Sequence, residues 1–296
     1  MSCGQAALIR AGHTYENYYA SEVDKYAIQI TQKNFPATVQ IGDIKGVWAR
    51  NLPQIDLVIG GSPCQDLSIA GKRAGLSGER SGLFWHFVRL LRTCKPKYFL
   101  LENVASMTKE NRDIISKALG VEPILINSAL VSAQQRKRFY WTNIPGITHP
   151  QDRGILLKDI LEDGLPMEDK AYALTARYSG YSFPHDFEKK KKSGVAGTIR
   201  LGDIGSKGQA NRVYSVKGKS VSLGIGGGGA GARGLYKIDL PDGDYFIRRL
   251  TPIECERLQT LPDNYTEGVS ITQRYKAIGN GWTVDVIAHI LSFIKE

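Results

Sequence analysis

Cysteine is scarce in this chain and badly placed for cross-linking. Cys3, Cys64, Cys94 and Cys255 lie far apart with no C-x-x-C pair, which argues against a zinc site or a disulfide framework and for reduced thiols. No metal is therefore expected. Long apolar runs are missing too: nothing approaches the roughly 20 residues of a membrane-spanning helix, and no secretory leader follows Met1. Both absences point to a soluble cytoplasmic protein without a membrane partner. Acid is the third shortage, with 29 Asp and Glu against 39 Lys and Arg, a formal charge of +10.

The excess base is not spread evenly. Arg177 to Lys237 holds eight lysines and four arginines against Asp186, Glu188 and Asp203, a local charge of +9. Such a surplus favours a polyanion, nucleic acid first, although a merely solvated surface fits the charge equally well.

In chain order, Gly4–Gly12 reads as a short helix closed by glycine. Tyr18–Glu22 reads as a strand ending in an acid, and Asp24 as the cap of a helix running to Asn34, ahead of Pro36. Val39–Asp43 and Leu57–Gly60 are two further short strands. Ser81–Cys94 places Leu83, Phe84, Phe87, Val88, Leu90 and Leu91 at a helical period. Lys97–Glu102 is a strong buried strand; a helix over Glu110–Gly120 and strands over Pro123–Asn127 and Arg138–Thr142 follow. Strands alternating with helices predict an α/β fold with a doubly wound, mostly parallel sheet. Acids at or just past the carboxyl ends of strands (Glu22, Asp43, Asp66, Glu102) mark a ligand site in such a sheet.

After Pro145 the texture changes. Residues 177–237 carry 14 of the 32 glycines, the run Lys189–Lys192 and the tract Gly226–Gly229. Val195–Leu201, Arg212–Val216 and Ser220–Ile225 read as short strands of a small, loop-rich β domain. The glycine tract fits either a linker or close backbone approach to a ligand. Helical signals return at Thr251-Pro252-Ile253-Glu254, an N-cap, N1 proline and first-turn acid. A last helix, Val284–Ile294, has one apolar face for the sheet. The expected division is 1–145, an inserted 146–247, and a return to the first domain over 248–296.

Gly60-Gly61-Ser62-Pro63-Cys64-Gln65 follows a strand directly, the place where α/β enzymes present nucleophiles. A buried structural thiol is the alternative for any single cysteine, but Ser, Pro, Gln and Asp make poor core neighbours. Ser68–Arg80, rich in glycine and lysine, suits a loop that closes over a substrate.

Pro63-Cys64-Gln65, Glu102-Asn103-Val104, Gln134-Gln135-Arg136-Lys137-Arg138, Arg249–Leu261 and Ile278–Val284 occur in the order seen in the DNA (cytosine-5)-methyltransferases of phage and bacteria. The chain resembles that family from Ser2 to its end. The resemblance implies a Rossmann-like methyltransferase domain, an inserted target-recognition domain, S-adenosylmethionine as methyl donor, double-stranded DNA as partner, and a bacterial or phage-infected cell. It places the donor against Ser2, Cys3, Gly4, Glu22, Val23, Asp43, Ile44, Gly60, Pro63, Asn280, Gly281 and Trp282. Glu22 would hold the ribose hydroxyls and Asp43 the adenine amino group.

The chemistry accounts for the catalytic set, Cys64, Glu102, Arg136 and Arg138. Carbon 5 of cytosine is a poor nucleophile until a thiolate, here Cys64, adds at carbon 6 and pushes electron density onto carbon 5. Glu102 would hold a proton against ring nitrogen 3. Arg138, with Arg136 beside it, would hold oxygen 2 and a phosphate or Glu102. The base must leave the duplex to be reached. DNA contacts are expected from Gln65, Ser68, Arg177, Arg200, Lys207, Asn211, Arg212, Lys219 and Arg233, mostly to phosphate, with Asn211 and Arg212 nearest base edges. Neither the target sequence nor a cognate restriction enzyme can be read from these motifs.

Two departures from the family pattern stand out. Trp282 replaces a smaller residue. Where relatives carry a strand and a Phe-x-Gly, this chain has Met1-Ser2-Cys3-Gly4. A doubly wound sheet without that strand is expected to break between its neighbours, at a cost in stability and donor binding. Two rival functions stand beside this one: a DNA-binding relative without activity, since the donor-binding loop looks incomplete, and methylation of a tRNA cytosine, since the resemblance includes a branch that takes RNA.

Overall fold

The computed structural model describes residues 1–61, 82–162, 200–203, 212–222, 235–239 and 245–295. The chain divides into two compact units. One comprises Ser2–Asn127, Lys137–His149 and Ile287–Glu296; the other comprises Met1, Ser128–Arg136 and Pro150–Val286.

The first unit opens with helix α1 (Cys3–Arg10), strand β1 (Tyr19–Ala20), helix α2 (Lys25–Asn34) and strand β2 (Val39–Gln40). Asp24 caps α2 as expected, accepting from the Tyr26 and Ala27 N–H groups. Strands β1 and β2 pair in parallel as a sheet of their own. A second sheet, in the order β3-β4-β6-β5, contains β3 (Leu57–Gly61), β4 (Tyr98–Val104), β5 (Ile124–Asn127) and β6 (Lys137–Thr142). Helix α3 (Leu83–Cys94) joins β3 to β4, and helix α4 (Lys109–Leu119) joins β4 to β5.

Six of the seven residues of β4 are buried, the mark of a strand covered on both faces. One face packs Leu101 with Phe84, Phe87, Ile115 and Trp141. Each such side chain contributes roughly 1.5–3 kcal/mol by leaving water. Trp141 keeps its indole N–H satisfied by donating to Ser116 Oγ at 3.0 Å.

The mostly parallel sheet that was expected is mixed: β1–β2 and β3–β4 pair in parallel, while β6 runs antiparallel to both β4 and β5. The reason is the connection. No crossover helix lies between β5 and β6, and a parallel pairing needs one. Among the described residues, β1 and β2 form a sheet separate from the one that contains β3.

The second unit holds a sheet in the order β10-β9-β8-β7, made of β7 (Arg200–Asp203), β8 (Arg212–Ser215), β9 (Leu235–Asp239) and β10 (Tyr245–Arg248). Of the strands expected here, Arg212–Val216 is met by β8, while β7 overlaps Val195–Leu201 only at Arg200 and Leu201, residues 195–199 lying outside the described residues. Of the third, Ser220–Ile225, only 220–222 are described, and Ser220 there bridges Gln134; β9 and β10 were not foreseen. Tyr214, Tyr236 and Ile238 of this sheet pack with Leu250, Cys255, Leu258 and Ile278.

Helix α5 (Pro252–Leu258) begins as its sequence dictates, with Thr251 and Glu254 in a reciprocal capping box and proline at N1. Helix α6 (Ile271–Asn280) and helix α7 (Val284–Leu291) complete the chain. The units therefore divide the chain later than expected, since residues 248–286 join the second unit and 287–296 alone return to the first. No helix among the described residues is long and apolar enough to cross a membrane.

Candidate active site

Glu102 and Arg138 form the chemical centre of the first unit. Glu102 sits near the end of β4 and Arg138 near the start of β6, with Arg138 Nε 2.8 Å from Glu102 Oε1. Both side chains are largely buried, so the pair is shielded from solvent screening. In the parallel β3–β4 register, Gly61 lies opposite Glu102. The strand that leads toward Cys64 thus ends level with the acid. Cys64 itself, with Pro63, Gln65 and the Ser68–Arg80 loop, lies outside the described residues.

The expected donor residues of this unit cluster at the ends of β1 and β2. Glu22 Oε1 accepts from the Val23 and Asp24 N–H groups at 2.8 and 2.9 Å, which fixes the carboxylate just past β1. Asp43 is exposed and held by the Lys45 N–H at 2.9 Å. Val23 is 70% exposed, and Ile44 is half-buried. Two oriented carboxylates and unusually accessible apolar side chains suit an adenosine: acids for hydroxyl and amino donors, apolar surface for the base.

Cys3 and Gly4 are not in a loop. They form the buried first turn of α1 and so could meet a ligand only through the main chain. Ser2 precedes them in the left-handed region, with φ of 52°. For a residue other than glycine such a backbone is costly and typical of functional sites. Gly60 is enclosed: a Cβ there would lie 2.7 Å from the Phe87 ring.

Asn280, Gly281 and Trp282 belong to the second unit, at the end of α6. Asn280 is exposed, Trp282 half-buried, and Gly281 buried. Arg136 is in the same unit, 4% exposed, and donates to the Gly279 and Gly281 carbonyl oxygens. Arg138, in the other unit, has Glu102 as its ion-pair partner. Gln259, which sequence reading left out of the site, donates to the same Gly281 carbonyl. Its only signal was its position at the end of the Arg249–Leu261 motif.

Of the expected DNA contacts, Arg200 is exposed and ion-paired with Asp203, and Arg212 is half-buried at the start of β8. Lys219 is a correction. It is fully buried, and its ammonium donates to the carbonyl oxygens of Ala129, Ser132 and Ile155. Burial pulls its pKa down, opposed by Asp152 and Asp159. An ammonium whose three protons are taken by main chain cannot reach a phosphate. Arg177, Lys207, Asn211 and Arg233 lie outside the described residues.

Residues 2–296 match the C-5 cytosine-specific DNA methylase family. The chain belongs to that family. It is 31% identical to the type II methyltransferase M.NgoBI of Neisseria gonorrhoeae, over 92% of this chain and 83% of the relative. It is 29% identical to M.HhaI of Haemophilus parahaemolyticus, over 93% and 86%. The methyltransferase EhMeth of Entamoeba histolytica shares the α/β methyltransferase fold at a TM-score of 0.69 and 16% identity, over 98% of this chain and 93% of that one. The protein is accordingly a DNA cytosine-5 methyltransferase, and its methyl donor is S-adenosylmethionine.

Proposed function

We propose that this methyltransferase acts on a cytosine flipped out of duplex DNA, with Cys64 as nucleophile, Glu102 and Arg138 as base-holding residues, and the 146–247 segment choosing the target sequence. The observation that carries the reading is the Glu102–Arg138 ion pair, set level with the end of the strand that leads to Cys64.

The Cys64 thiolate adds to carbon 6, and Glu102 supplies hydrogen bonding and a proton at nitrogen 3, so that negative charge does not build up on the ring. Arg138 already holds Glu102, and a base entering beside them offers its oxygen 2 as a second acceptor for the guanidinium. When bound, S-adenosylmethionine supplies an electrophilic methyl group to carbon 5. Loss of the carbon-5 proton to a base then expels Cys64 and restores the ring. Glu22, Asp43, Asn280 and Trp282 are assigned to holding and orienting the donor.

The 146–247 segment is read as the target-recognition domain from its net charge of +9 over Arg177–Lys237 and its separate β sheet. The test uses duplex DNA carrying 5-fluorocytosine at the target, since fluorine blocks the final elimination. A covalent adduct is expected with the wild type and with Cys94→Ala and Cys255→Ala, and none with Cys64→Ala. An adduct that persists in Cys64→Ala overturns the assignment. Adduct formation on tRNA and not on duplex DNA would favour the RNA reading.

A further inference from the structure

Four side-chain hydrogen bonds to main-chain carbonyls hold the last turn of α6 and its cap, Gly281. Arg136 Nη2 donates to Gly281 O at 3.0 Å and to Gly279 O at 3.5 Å. Gln259 Nε2 donates to Ile278 O at 2.9 Å and to Gly281 O at 3.2 Å. Gly281 O thus accepts from two buried side chains at once. Gln259 is locked in turn, because its Oε1 accepts from Thr283 Oγ1 at 2.9 Å and its main-chain carbonyl accepts from the Val284 N–H at 2.9 Å. Ser128 Oγ closes the network by donating to Thr283 Oγ1 at 2.9 Å.

The consequence is a division within one short segment. The carbonyls of residues 278, 279 and 281 turn inward, while Asn280 is exposed and Trp282 half-exposed. Gly279 and Asn280 end α6, and the Gly281 N–H closes the helix on the Ala277 and Ile278 carbonyls, so the Arg136 and Gln259 bonds anchor this helix end where the chain turns away. The Nη2 group of Arg136 is committed to these two carbonyls, which ties the guanidinium to the end of α6.

We infer that Arg136 and Gln259 are positioning residues for S-adenosylmethionine: they preset the Gly279–Trp282 turn so that Asn280 and Trp282 meet the donor, and Arg136 takes no part in the base pocket. The inference rests on the assignment of that turn to the donor. It also gives the Gln134–Arg138 motif two outputs, since Arg136 sets the donor turn and Arg138, two residues later, holds Glu102.

The experiment measures donor affinity without DNA, by calorimetry, alongside steady-state kinetics at saturating donor and duplex. Arg136→Met is expected to weaken S-adenosylmethionine binding about tenfold or more, with kcat within roughly threefold of the wild type. Arg136→Lys should recover part of the affinity, and Gln259→Met should weaken it in the same way. Arg138→Met should show the opposite split, keeping donor affinity and losing kcat. If Arg136→Met fails to fold, Arg136→Lys and Gln259→Met decide by the same split, since each leaves part of the anchor in place. Unchanged donor affinity with a fallen kcat would return Arg136 to the base pocket and overturn the inference. The underlying assignment has its own control: Asn280→Ala and Trp282→Ala with wild-type donor affinity would show that the turn does not bind the donor at all.

Discussion

Arg138 reaches Glu102 along a diagonal. In the antiparallel β4–β6 pair, Glu102 lies opposite Tyr140 and Arg138 opposite Val104, so both side chains rise from one face two residues out of step. The offset lets Nε stand 2.8 Å from Oε1 while the side chains remain only 15% and 11% exposed. A pair so placed is expected to act as a unit. Glu102→Gln and Arg138→Met should each lower kcat by about 10²–10⁴-fold. The double variant should be hardly worse than the poorer single one, because a broken unit cannot be broken twice. Single-turnover methylation of a duplex substrate measures all three, and losses that multiply would show that the two residues act separately.

Lys219 has three carbonyl partners and no solvent. Replacing it with Met leaves carbonyl groups of Ala129, Ser132 and Ile155 short of a donor, at roughly 1–3 kcal/mol for each left unpaired. Lys219→Met should therefore unfold at a clearly lower temperature, while the salt dependence of DNA binding by the folded protein stays that of the wild type. Neutralising Lys189–Lys192 should do the reverse, weakening binding to all duplexes alike and flattening the salt dependence, with little effect on stability. A shallower salt slope in Lys219→Met would restore it to the DNA-binding face.

That contrast shows what charge and pattern can report. Lys219 and Lys189 look alike in a composition count, and only the three carbonyls around Lys219 mark it as a pin. Local signals were read well: Asp24 capping α2, Thr251 and Glu254 opening α5, and the apolar spacing of α3 are written in neighbouring residues. Strand direction was not, because β6 is turned by the 128–136 segment, whose anchors are Lys219, Leu258 and Thr283, distant in sequence. The carbonyl partners of Arg136 were hidden for the same reason. Two arginines spaced by one residue invite a shared role, and the sequence cannot show that the chain leaves one unit for the other between them.

Alkaline pH should expose a second set of buried groups. Burial, ahead of any neighbouring charge, raises the pKa of Tyr18, Tyr236 and Tyr275 well above the ordinary phenol value. A raised folded-state pKa contributes stability that is fully present below about pH 10, where the unfolded phenols keep their protons, and that is lost as the pH rises beyond it. The melting temperature should therefore fall steeply above about pH 10. Tyr275 donates to Leu250 O at 2.7 Å. Tyr275→Phe should cost about 1 kcal/mol at neutral pH and make the alkaline fall shallower. An unaltered slope would mean that Tyr275 titrates alike in the folded and unfolded chain.

Gly60 joins packing to chemistry. It is the fourth residue of β3, which leads toward Cys64, and the Phe87 ring of α3 lies where its Cβ would be, 2.7 Å away. Phe87 is 5% exposed and surrounded by the core of its unit, so it cannot swing aside without displacing Phe84, Val88 or their neighbours. Gly60→Ala should push strand and helix apart at a cost of about 1–3 kcal/mol. The same shift would move the Gly60-Gly61 end of β3 relative to Glu102, its neighbour in register. Activity should then fall by more than the loss of folded protein explains. Gly46→Ala is the control, because nothing lies within 4 Å of a Cβ there; it should change neither property. Adding Phe87→Leu to Gly60→Ala should recover part of the activity by removing ring atoms from the contact. Thermal unfolding and kcat of the four proteins decide the matter. A Gly60→Ala enzyme with wild-type stability and rate would show that Phe87 yields freely and that the glycine is not needed for the close approach.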